Sequence, residues 1–182
     1  NGGLLGNAKY DLATGTVGLS DSWTENFDAM EVLNYRPSPD YMLHYMDLVS
    51  RGLSITPVGV SDSHTHRGGV GQALTYVPLP IQSVGELQPD HIRDAWATGG
   101  TVPSTGPIIE ARVDGSWAPG QTYENTADLS IQVWAPDWMQ VDGINIYQNT
   151  ELIQTIQAEG DAPLHLSVIV ALEPEEDAVY FV

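Results

Sequence analysis

Between Ile55 and Gly71 the chain reads ITPVGVSDSHTHRGGVG, an apolar run that turns polar within one residue. Ile55, Val58 and Val60 have the β-branched character of a buried strand, and Gly68, Gly69 and Gly71 that of a loop. Just upstream, Met42, Tyr45, Met46, Val49 and Leu53 recur at helical spacing. Before them, Ala29, Glu31 and Leu33 alternate with Met30 and Val32, as in a short strand over Phe27–Leu33. Strand, helix and strand in direct succession form a βαβ unit. This limits the first half of the chain to a parallel sheet or barrel. In such folds, active sites gather at the C-terminal ends of the strands.

The polar segment stands at such an end. In an extended chain, side chains two apart share a face, so Asp62, His64 and His66 project to one side and Ser61, Ser63 and Thr65 to the other. A carboxylate with one or two imidazoles at a strand mouth makes a metal half-site. The competing reading is a polar turn in which Asp62 caps backbone N–H groups and His64 is solvated. Glu31 lies in an apolar strand and needs a partner there, whether a metal, an arginine or a backbone N–H. Arg67, in the glycine loop, is a candidate for binding an anionic substrate group, and the alternative is an ion pair with a surface acid. His44 falls beside the apolar stripe of its helix and reads as a packed or surface histidine.

Caps punctuate this half. Ser38-Pro39-Asp40 opens the first helix and Gly52 closes it. Ala73–Val77 reads as a strand. Ser83-x-x-Glu86 has the form of a capping box, and Pro89–Thr98 is a second helix with His91 and Arg93 facing outward. Residues Asn1–Thr24 read as loop with at most a short helical turn.

The words FDAMEVLN (Phe27–Asn34), ITPVGVSDSHT (Ile55–Thr65), GQALTYV (Gly71–Val77) and DAWATGGTVPSTGPII (Asp94–Ile109) resemble the C-terminal half of PHP-domain metallohydrolases, in the carbaryl-hydrolase-like (CehA/McbA) branch. The resemblance places the family's final Asp-x-His metal motif on Asp62 and His64, with His66 as a further candidate. It implies a divalent metal (zinc, manganese or iron), a metal-activated water, and a small-molecule phosphoester, carbamate or carboxyl ester as substrate. Glu31 becomes a candidate for lining the site behind the ligands. The family's upstream ligands, an H-x-H pair among them, have no counterpart before Asp62, where His44 is the one histidine. The chain also begins Asn1-Gly2-Gly3. Both features lead us to expect a piece of a longer protein, inactive or nearly so by itself, with exposed sheet edges that favour a homo-oligomer.

Past Thr101 the helical pattern stops. Ile108–Val113, Leu129–Ala135, Ile144–Tyr147, Leu152–Ile156, Leu164–Val170 and Ala178–Val182 read as strands, with Asp114-Gly115 and Gln148–Thr150 as turns. Leu129, Ile131 and Val133 alternate with Ser130, Gln132 and Trp134, the signature of a half-buried strand. The expected fold is thus α/β plus all-β. The second half of a PHP-type (β/α) barrel over residues 1–103 is followed by an immunoglobulin-like β-sandwich over 104–182, joined through Thr101–Pro107. Trp117, Trp134 and Trp138 offer a carbohydrate-binding face, against the alternatives of core packing or contact between the two halves.

Composition narrows the partners. With 24 acids against one lysine and five arginines, a net charge of −18 leaves no basic footprint for nucleic acid or an anionic membrane. Such a surface suits a marine, halophilic or exported (periplasmic or extracellular) protein, and equally an ordinary acidic one. Absence of cysteine excludes disulfides, thiolate metal sites and a Cys nucleophile. No apolar run reaches membrane-spanning length, and no G-x-S-x-G elbow supports a serine hydrolase. A non-catalytic binding module, contacting glycan or a partner protein, is the alternative to the hydrolase.

Overall fold

The computed structural model describes residues 9–18, 23–37 and 39–182. Its strands are β1 (Tyr10–Asp11), β2 (Thr16–Val17), β3 (Ala29–Asn34), β4 (Arg36–Pro37), β5 (Thr56–Val60), β6 (Leu74–Tyr76), β7 (Val102–Ser104), β8 (Ile108–Val113), β9 (Ser116–Trp117), β10 (Ala127–Trp134), β11 (Gly143–Gln148), β12 (Glu151–Gln157), β13 (Leu164–Leu172) and β14 (Tyr180–Phe181). Two helices, α1 (Pro39–Ser50) and α2 (Pro89–Ala97), complete the described chain. The fold is mixed, with few helices and many strands in small sheets. Among the described residues no sheet closes into a barrel.

The βαβ unit is present. β3 and β5 pair in parallel, Ala29 opposite Thr56 and Asn34 opposite Val60, with α1 as the crossover. Val32, Tyr45, Met46, Leu48 and Ile55 form the buried cluster between helix and sheet. The helical stripe read from the sequence therefore faces inward. Ser38, the expected cap of α1, lies outside the described residues. The end of α1 is a Schellman arrangement. The N–H of Leu53 reaches the carbonyl of Leu48, that of Gly52 reaches Val49, and Gly52 takes φ +95°.

β5 is an edge of its three-stranded sheet, which accommodates Pro57, a residue with no N–H to donate. Side chains satisfy the groups left over: Thr101 Oγ1 donates to the Pro57 carbonyl at 2.6 Å, and Thr75 Oγ1 bonds both the N–H and the carbonyl of Gly59 at 3.0 Å. Two segments read as irregular carry strands instead. β1 and β2 form a small hairpin within the expected N-terminal loop, and β7, within the expected linker, pairs with β6. All three strands, β1, β2 and β7, are two or three residues long, too short for periodicity to show.

The later strands form two antiparallel sheets, β13-β10-β8-β9 and β12-β11-β14. Ala111, Val113, Leu129, Ile131, Val133, Leu166 and Val170 from the first share one buried cluster with Ile144 and Ile146 from the second. This shared core is compatible with a β-sandwich. Asp114-Gly115, both at positive φ, closes the β8–β9 hairpin, as an Asp-Gly pair in a type I′ turn does. Asn149, at φ +55°, turns β11 into β12, and its Oδ1 accepts from the N–H of Val179 at 3.0 Å.

The two regions meet at defined points. The Phe181 ring stands edge-on to Tyr45, 5.9 Å between centroids, and Trp117 Nε1 donates to the Gly100 carbonyl at 2.8 Å. Gly120, at φ +73°, packs its backbone against that of Thr98–Gly100 so closely that a Cβ there would overlap it.

Candidate functional site

Asp62 and His64 lie in the exposed segment directly after β5. Asn34 and Val60 pair at the same sheet end, and the N–H of Tyr35 reaches the Val60 carbonyl at 2.8 Å. The C-terminal ends of β3 and β5 therefore open on one side, and the motif stands at that opening.

Asp62 takes φ +45°, so the extended alternation expected through His66 stops at the first residue of the motif. A short polar residue tolerates this left-handed conformation. The turn it starts brings His64 Nε2 to 3.0 Å from Asp62 Oδ1. Beyond the pair the loop is self-supported. Ser63 Oγ donates to the carbonyls of Thr65 and Gly68, at 3.0 and 3.2 Å, and the Gly68 N–H reaches Thr65 O.

Both members of the pair are open to solvent, the His64 side chain being 83% exposed and that of Asp62 51%. His66 and Arg67 are exposed as well, and neither has a hydrogen bond or ion pair with another described residue. Among the described residues no surface acid pairs with Arg67. Glu31 is exposed on β3, and its Oε2 accepts from Asn34 Nδ2 at 2.8 Å. Among the described residues no three His, Cys, Asp or Glu side chains are grouped to hold a metal ion, so neither His66 nor Glu31 joins the pair as a third donor.

At 3.0 Å the Asp62–His64 contact is an ordinary N···O ion-pair distance, shorter than the ~3.4 Å between two ligands of a tetrahedral ion about 2.1 Å away. The ligand types are nitrogen and oxygen, which zinc, manganese and iron all accept.

A buried ionic network lies elsewhere, and sequence reasoning missed it. Asp47 on α1 is 8% exposed; its Oδ2 accepts from Tyr10 Oη at 2.6 Å and from Arg51 Nε at 2.9 Å. Arg51 Nη2 also donates to the Leu12 carbonyl at 2.9 Å, which ties the β1–β2 hairpin to the helix. The i, i+4 spacing of Asp47 and Arg51 was the available signal. Burial, then the hydrogen bond to the Asp47 carboxylate, pushes the Tyr10 hydroxyl up to about 12. A tyrosine held protonated in this way stabilises the fold fully below its unfolded value of 10.0, and the contribution disappears as pH rises through about 12. Urea unfolding at a series of pH values is expected to show stability falling over that window, with a shallower fall in Tyr10→Phe. Equal falls in the two proteins would sever Tyr10 from the alkaline transition.

His165, also missed, interrupts the apolar run of β13. It is 8% exposed, with Nε2 3.2 Å from the Ala135 carbonyl. His44 packs edge-on to Tyr10, 5.8 Å between centroids, in line with its reading as a packed residue. The tryptophans separate. Trp117 joins the two regions, Trp134 is half-buried, and Trp138 is 79% exposed. Compared with protein-family models, with curated proteins and with solved structures, the chain finds no match.

Proposed function

We propose that this chain carries part of the metal site of a PHP-type metal-dependent hydrolase. Its first region would be the second half of a (β/α) barrel and its later strands an immunoglobulin-like sandwich. The observation that carries the reading is the Asp62–His64 pair, 3.0 Å apart and immediately beyond β5 of a βαβ unit, where such folds place their chemistry. Asp62 Oδ1 and His64 Nε2 would hold a divalent cation. A cation held there supplies Lewis acidity, which activates a water and polarises the bond to be broken in a phosphoester, carbamate or carboxyl ester. Arg67, free of partners among the described residues, would receive the anionic part of the substrate. Glu31, held by Asn34, would line the site from β3.

Two donors fall short of the three or four ligands of a catalytic centre, so the chain alone is expected to bind metal weakly and to hydrolyse esters little or not at all. Isothermal titration with zinc and with manganese, paired with elemental analysis, tests the reading. One saturable site is expected, lost in both Asp62→Ala and His64→Ala. Binding that persists in both variants, or no binding by the parent chain, would sink it.

A second reading, a glycan-binding module, draws on the open ring of Trp138. Retention on a glycan affinity gel that Trp138→Ala abolishes, without metal uptake at Asp62, would favour it.

A further inference from the structure

β12 and β13 are terminal strands of their sheets, each hydrogen-bonded to one neighbour among the described residues. A cleft of about 650 Å³ runs between them, lined by Gln154, Ile156, Glu159, His165, Leu166 and Val168 among others. Natural edges are commonly blunted by lysine, proline or a bulge that turns the strand away. β13 has neither a charged residue nor a proline from Leu164 to Leu172, and its one register irregularity sits at the Leu164 end. That end is also capped, the Gly160 N–H bonding the His165 carbonyl at 2.9 Å. From Leu166 to Leu172 the strand pairs with β10 alone among the described residues, and Ile169 is 69% exposed. On the facing edge, Leu152 and Ile153 are exposed too.

The surroundings of this cleft carry one sign of charge. Residues 113–182 contain 12 aspartates and glutamates and neither a lysine nor an arginine. Glu159 lines the cleft, and Asp161 lies in the connection that leads from β12 into β13. A second copy approaching through this edge brings the same acids and is repelled, which keeps an otherwise adhesive strand from pairing with itself. An extended segment with lysine or arginine alternating with apolar residues meets complementary charge and unpaired backbone together.

We infer that the β12–β13 cleft is a docking site for a cationic, extended peptide segment of a partner protein, which adds to β13 as a further strand over Leu166–Leu172. The backbone of β13 supplies the hydrogen bonds. Ile156 and Val168, half-buried at the cleft, take the apolar side chains, and Glu159 with its acidic surroundings selects the cations.

The test uses the full chain with two end-capped nonapeptides, one alternating valine with lysine and the other valine with glutamate. Fluorescence anisotropy is expected to show saturable binding of the lysine peptide alone, weakening ~tenfold between ~50 and ~300 mM salt as the charges are screened. Amide exchange of Leu166–Leu172 should slow in the complex. Glu159→Lys, an exposed change that leaves the fold intact, should weaken the lysine peptide at least ~threefold. Equal binding of the two peptides, protection of other strands, or failure of both to bind would overturn the assignment. Self-association that grows with salt and protects the same amides would overturn it in favour of a second copy.

Discussion

Ile131→Ala is expected to lower the unfolding free energy by about 4 kcal/mol, the upper part of the range for truncating a fully buried isoleucine. Ile131 is 0% exposed at the middle of β10, opposite Ala111 on β8 and Val168 on β13. It belongs to the same cluster as Ile146, equally enclosed, from the other sheet. Neighbours fixed by two ladders of backbone hydrogen bonds cannot collapse into the space, so most of the cavity persists. Ile131→Val, removing one methylene, should lose only about 1 kcal/mol. Ile153→Ala, on the exposed strand β12, should stay within about 0.5 kcal/mol. Urea unfolding of the three variants measures the series. A loss in Ile131→Ala no larger than in Ile153→Ala would mean that the two sheets do not share a core.

Asp47→Ala should cost about 3 kcal/mol, for a different reason. The change removes one acceptor and strands two donors, the Tyr10 hydroxyl and the Arg51 guanidinium, against a surface that burial has partly dried. Arg51 is the more exposed partner and recovers solvent, which keeps the loss below that of a fully enclosed pair. The Asp47 hydrogen bond also raises the Arg51 pKa, and that contribution disappears with the carboxylate. Because Arg51 reaches Leu12 as well, the damage should concentrate in the β1–β2 hairpin. Amide exchange over Tyr10–Val17 is expected to accelerate more than exchange in β10 or β11. Asp47→Asn, which keeps an acceptor oxygen, should lose about half as much. A uniform change across the chain would show that the network does not anchor the hairpin.

Much of the architecture was legible because the patterns are local. Met42, Tyr45, Met46 and Val49 announce α1 by spacing, and Leu129, Ile131 and Val133 announce β10 by alternation; burial follows both. Gly52 marks its helix end through a backbone requirement only glycine meets cheaply. Other features depend on distant partners. β7 exists because β6 lies beside it, and Asp47 is buried because Tyr10, 37 residues away, covers it. The Ser83-x-x-Glu86 pattern caps a single 3₁₀ turn, with Ser83 Oγ accepting from Gly85 and Glu86 reaching back to the Gln82 N–H. The capping box of α2 is formed by Gln88 and His91, which the usual Ser/Thr signature does not cover. For the candidate site, the Asp-x-His spacing located the pair. The left-handed turn at Asp62, and the absence of a partner for Arg67 among the described residues, are three-dimensional facts that spacing alone does not carry.

The one-signed stretch from Val113 to Val182 also governs how the protein is cut and labelled. Trypsin, which cleaves after lysine or arginine, has Arg112 as its last available residue, and Arg112 sits within β8, hydrogen-bonded between β10 and β9. Everything beyond it leaves as one long peptide, and only after β8 has come away from its neighbours. Amine-reactive reagents likewise find one lysine side chain, Lys9, besides the α-amino group. Digestion at Arg112 is therefore a single-bond gauge of how often this sheet opens, and a dye placed on Lys9 leaves both open edges untouched.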